Sequence, residues 1–177
     1  MTALVFVDAN VFLYAHHANE PAKQARARAW LEHLWRTGAG RTSMQVLSEY
    51  YVNLKRKEFS GLSPEGAWDY VAALLAWTPR AVDEQVFVRA HAIEARHRIS
   101  WWDSMIVAAA QLQECELLLT EGLQDRGAYG TVTACSPFTL EAGEPSAAYE
   151  AGARLPNPHR PRGRPRRKLR EAPAARL

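Results

Sequence analysis

Cysteine is scarce in this 177-residue chain: Cys115 and Cys135 are the only two, in apolar surroundings and without the paired spacing of a zinc site. Two reduced core residues are the expectation. The histidines, His16, His17, His33, His91, His97 and His159, supply no helical metal pair either. Long apolar runs are also missing. No stretch of eighteen apolar residues and no charged-then-apolar leader is present, so the expectation is a cytoplasmic chain that neither spans a membrane nor is secreted. Without a GxxxxGK[ST] loop or a GxSxG elbow, the nucleotide-hydrolase and serine-hydrolase readings fall away.

What is present suits one globular domain followed by a tail. The chain is 47% hydrophobic, enough for a full core. Its net charge of +3 hides a split. From residue 154 onward there are nine Lys or Arg against Glu171 alone, a net +8, which leaves 13 basic and 18 acidic side chains before it, a net −5. The segment "RLPNPHRPRGRPRRKLREAPAARL" has too few large apolar groups to offset its ordering entropy. Residues 1–140 are therefore expected to form the domain and 141–177 a Pro/Arg-rich, basic, disordered tail. Such a tail either holds phosphates by counterion release or merely solubilises.

Within the domain, apolar spacing alternates between strands and helices. Strands are expected at 4–8, 41–43, 80–82, 116–120 and from 131. Helices are expected at 21–36, 44–57, 63–77, 84–96 and 101–113. Strands separated by helices imply a parallel α/β sheet covered on both faces, with ligands gathering at the strands' carboxyl ends.

Acidic residues fall at those ends. The apolar strand of "LVFVDANVFLY" runs straight into Asp8, which either caps the next turn or serves a site. Glu49 lies among apolar and aromatic neighbours in "SMQVLSEYYVNL", on a helix leaving the second short strand, where it is either an exposed helical Glu or a site residue. Asp103 follows Ser100 in the S-x-x-D capping pattern, at a helix start where an acid can also be held ionised and aimed at a ligand. Glu121 and Asp125 sit in the loop "TEGLQDRGAYG" after a strand. Carboxylates converging on one place raise each other's pKa unless a cation joins them. An all-oxygen donor set favours Mg²⁺ or Mn²⁺ and points to phosphodiester hydrolysis.

The segments "VFVDANVFLY", "SMQVLSEYYVNL", "WWDSMIVAAAQ" and "LLLTEGLQD…SPF" occur in the order and at about the spacing of a PIN-domain protein. Over roughly residues 3–140 the chain resembles the VapC-type toxins of bacterial toxin–antitoxin pairs. The resemblance implies a three-layer α/β/α sandwich with a central parallel sheet and an endoribonuclease dependent on Mg²⁺ or Mn²⁺. It also implies an RNA substrate, a cognate antitoxin lying across the site, and a homodimer or toxin–antitoxin hetero-oligomer. Asp8, Glu49 and Asp103 match the family's three most typical acidic positions, and Asn10 its D-x-N start; Thr120 belongs to the fourth motif. Relatives commonly carry Asp or Asn two residues beyond that Thr, where this chain has Gly122. Glu121 or Asp125 then stands in.

Two rivals belong to other classes. A phosphotransferase using Asp8 as nucleophile would present D-x-D, but the third residue is Asn10. A catalytically inactive PIN-like module would only bind an antitoxin or RNA. Positive charge for RNA is offered by Arg41, Lys55, Arg56, Lys57 and Arg126, whose alternative is plain solvation. The stripe Trp68, Val71, Ala72 and Leu75 is expected to pack in the core.

Overall fold

The computed structural model describes residues 3–143; the basic tail lies outside them. Strand β1 (Val5–Val7) carries no polar side chain and is buried throughout, so it needs a neighbour on each side. It finds β2 (Gly40–Arg41) and β3 (Leu117–Leu119), both parallel to it. β5 (Val132–Cys135) extends the sheet in parallel beyond β3, and β4 (Ala128–Tyr129) closes that edge antiparallel, giving the order β2-β1-β3-β5-β4. The four parallel strands end on one rim, where Asp8, Thr42, Thr120 and Ser136 follow them.

Helices cover both faces in a three-layer α/β/α arrangement. They are α1 (Ala9–Tyr14), α2 (Pro21–Thr37), α3 (Met44–Leu54), α4 (Pro64–Ala73), α5 (Glu84–His97) and α6 (Trp101–Leu112). Their starts are encoded locally. Asp8, Ser43, Ser63, Asp83 and Ser100 each accept a backbone N–H of the first turn, satisfying donors that the helix itself cannot. α6 is the most enclosed, buried without interruption from residue 104 to 110. On the other face α1 packs against α2 and α3, and α3 against α4. Gly40 lets Trp77 lie flat on β2: a Cβ there would meet the indole ring at 2.6 Å.

Four expectations change. The segment after Asp8 is helix α1, not a turn, and β4 is an additional strand. Residues 80–82 form no strand; Arg80 makes a single parallel bridge to Ser43. The α4 stripe splits, because this outer helix needs only a narrow inner face: Ala67, Val71 and Leu74 point inward, while Trp68 and Leu75 remain 53% and 46% exposed.

Candidate functional site

Asp8 is the centre of the carboxyl-end rim. It is 93% buried by the strands behind it and held by three donors: Ala9 N at 2.7 Å on Oδ1, with Asn10 Nδ2 at 2.9 Å and the Thr120 hydroxyl at 2.7 Å on Oδ2. Thr120 comes from the end of β3, beside β1 in the sheet. Its oxygen in turn accepts Gly122 N at 3.0 Å and the more distant Asn10 Nδ2 at 3.5 Å, which uses the full capacity of a hydroxyl. Asn10 Oδ1 is buried and has no partner among the described residues.

Burial pushes the Asp8 carboxyl up to about 6, and the nearby charges of Glu49 and Asp103 push in the same direction. The bonds from Thr120 and Ala9 offset part of that shift. Three acids from segments far apart in sequence thus share one electrostatic neighbourhood. Asp103 sits in the first turn of α6, where Ser100 both caps the helix, accepting Asp103 N at 3.1 Å, and donates its hydroxyl to Asp103 Oδ2 at 2.6 Å. That reciprocal pair fixes the carboxylate. Its other oxygen, Oδ1, faces Gly122, 3.7 Å from where a Cβ would stand. Glu49 projects from α3, exposed, with no hydrogen bond or ion pair to its carboxylate among the described residues.

The donor chemistry fits a hard divalent cation: oxygen ligands only, mutual repulsion among the acids, and the unpartnered Asn10 Oδ1 beside them. As the side chains stand, no three His, Cys, Asp or Glu among the described residues already form a coordinating group. Glu49, exposed and unpaired, is the one free to turn toward Asp8 and Asp103.

The remaining candidates are placed elsewhere. Asp125 accepts Ser136 N at 2.7 Å and the Thr139 hydroxyl at 3.3 Å, so it ties down the chain after β5. Glu121 turns outward to Lys23, 2.6 Å away. Sequence reasoning passed over Lys23, because the pair is 98 residues apart and nothing local marks it. Burial works against the Lys23 charge, but Glu121 and Tyr14 outweigh it and hold the ammonium above its ordinary pKa. Arg41 donates back to Gly38 O and Gly40 O, away from the rim. Lys55 lies over the Tyr51 ring, Arg56 reaches Glu58 at 3.9 Å, and Arg126 is exposed in a left-handed turn.

The family model described as PIN domain matches residues 5–124. No curated protein matches the sequence. Among solved structures, a toxin–antitoxin complex from Klebsiella pneumoniae aligns at 18% identity and TM-score 0.54, covering 77% of this chain and 98% of its own. FitAcB from Neisseria gonorrhoeae aligns at 18% and 0.54, covering 77% and 100%. DNA-bound VapBC from Salmonella typhimurium aligns at 15% and 0.54, covering 77% and 99%.

Proposed function

Since the chain belongs to the PIN-domain family, we propose that it is a metal-dependent endoribonuclease that hydrolyses RNA phosphodiester bonds, the toxin of a toxin–antitoxin pair. One observation carries this reading: Gly122 lies beside both Asp103 Oδ1 and the Thr120 hydroxyl that holds Asp8, so two acids distant in sequence meet at the strand rim, where the charges of Glu49 and Asp103 also raise the pKa of Asp8. Asp8, Glu49 and Asp103 would hold Mg²⁺ or Mn²⁺, which when bound orients the scissile phosphate and supplies hydroxide near neutral pH. The chain's own residues prepare that place. Thr120 and Asn10 fix the Asp8 carboxylate, and Ser100 fixes Asp103.

A cognate antitoxin, and a homodimer or toxin–antitoxin hetero-oligomer, belong to the same proposal. Two features support a partner surface. Phe87, Val88 and Trp102 are exposed on α5 and α6. A cavity of about 330 Å³ opens between α1, α2, α3 and α4, with Phe12, Leu31, Tyr50 and Tyr70 among its walls. No helix among the described residues is long and apolar enough to cross a membrane, which is compatible with a cytoplasmic RNA target. Residues 1–140 are the nuclease domain in this reading, with 141–177 as its basic appendage.

Cleavage of mixed cellular RNA, with Mg²⁺ or Mn²⁺ against EDTA and with Asp103→Ala beside the parent chain, tests it. Cleavage confined to metal and to the parent is the expected result. A second reading, an inactive module that binds an antitoxin or RNA, is favoured by Gly122, which stands where the family pattern has Asp or Asn. Folded, antitoxin-free protein that cuts nothing in any lane decides for it.

A further inference from the structure

A row of four partly exposed rings begins beside the acid rim. Phe138, in the chain after β5, meets Tyr14 edge to face with centroids 5.1 Å apart; Tyr14 meets His17 at 5.9 Å, and His17 meets Phe59 at 5.3 Å. Three segments distant in sequence supply the row. A cation stands at one end, and a basic run precedes the ring at the other in sequence. Lys23 Nζ lies 4.5 Å from the Tyr14 centroid and 5.0 Å from that of Phe138. At the other end, Lys55, Arg56 and Lys57 precede Phe59, whose N–H returns to Arg56 O.

The row meets the rim twice. Tyr14 ends the helix that Asp8 caps, about 9 Å along at the ordinary helical rise. Lys23 pairs with Glu121, the residue after Thr120, whose hydroxyl holds Asp8. The chain before residue 154 carries a net −5 and repels phosphate overall, so a row of rings with Lys23 at one end and a basic run before the other is chemically distinct. Rings accept unstacked bases, cations accept phosphates, and a duplex offers its bases to neither.

We propose that this row is a track for single-stranded RNA, with bases on Phe138, Tyr14, His17 and Phe59 and phosphates on Lys23 and on Lys55, Arg56 and Lys57. The strand is led toward Asp8. Lys23 exchanges one anion, Glu121, for another, a phosphate. The track rests on the nuclease reading only for its destination.

The test is fluorescence anisotropy of a short labelled single-stranded RNA, and of the same sequence as a duplex, with the full chain in EDTA. Phe59→Leu and Phe138→Leu keep apolar bulk but lose the ring, and each is expected to weaken single-strand binding by about fivefold or more. Phe59→Tyr and Phe138→Tyr restore it. Lys23→Gln lowers the salt slope by about 0.7. Trp35→Leu, at the far end of α2, is the control and changes nothing. Unaltered affinity in both Leu variants, or equal binding of duplex and single strand, overturns the track. Ring-dependent binding by a parent chain that fails to cut RNA with Mn²⁺ upholds the track and rejects the nuclease; cutting with ring-independent binding does the reverse.

Discussion

The Thr120 hydroxyl donates to Asp8 Oδ2 at 2.7 Å across the β1–β3 pair, joining residues 112 positions apart. Because Asp8 is buried, this donor is one of the few groups that favour its ionised form. Thr120→Val keeps the shape and removes the bond. The acid limb of the cleavage profile is expected to move up by about one pH unit, and stability at neutral pH to fall by about 1–3 kcal/mol. Thr120→Ser restores both. A pH–rate profile of the three proteins reads this directly.

Asp8 also links stability to pH. Its carboxyl moves from 3.8 to about 6 on folding, so between those values the folded chain holds a proton that the unfolded chain has released. Stability of the metal-free protein therefore falls as pH rises through that window. The loss from this group is about 3 kcal/mol and is complete above the window. Urea unfolding in EDTA across the range, with Asp8→Asn as reference, measures it; a constant difference between the two proteins refutes it.

Gly122 offers a gain of function. A Cβ there would lie 3.5 Å from Thr120 Oγ1 and 3.7 Å from Asp103 Oδ1, ordinary contacts that an added side chain tolerates. Gly122→Asp brings a further carboxylate to the rim. Mn²⁺ should bind about tenfold tighter by calorimetry, while the metal-free melting temperature drops from added repulsion.

Gly40 allows no such freedom. Its missing side chain is replaced by the Trp77 ring, which is buried and flanked by Phe12 and Trp35. Gly40→Ala should cost about 1–3 kcal/mol in denaturant unfolding through overpacking, with metal affinity per folded molecule unchanged.

The basic tail makes a separate prediction. With its net +8 removed by deleting 154–177, the fall of RNA affinity with salt should become shallower, as expected when phosphate contacts are lost. An unchanged slope would assign the tail no part in RNA binding.

Much of this was readable in the chain. Ser63, Asp83 and Ser100 announce helices because capping is local, and the short continuous apolar runs at Val5–Val7 and Leu117–Leu119 fit inner strands. Asp8 at a strand end and Asp103 in a helix first turn were legible from local pattern, and Glu49 from its apolar and aromatic neighbours within α3; the charges of Glu49 and Asp103 both raise the pKa of Asp8. What local pattern hides is tertiary choice. "ANVFLY" is as apolar as a strand, yet it folds as a helix behind the Asp8 cap. Asp125 and Glu121 share a loop with the rim, but a free N–H at Ser136 and an ammonium at Lys23 claim them. Neither partner is within reach in sequence.

The strand order carries a consequence for how the chain is made. β3 lies against β1, although residues 8 to 116 separate them. A chain leaving the ribosome therefore holds Asp8 and Glu49 long before Thr120 exists to complete their surroundings, and contacts of such long range form late. For most of its synthesis the nascent chain carries the acids without the assembled rim.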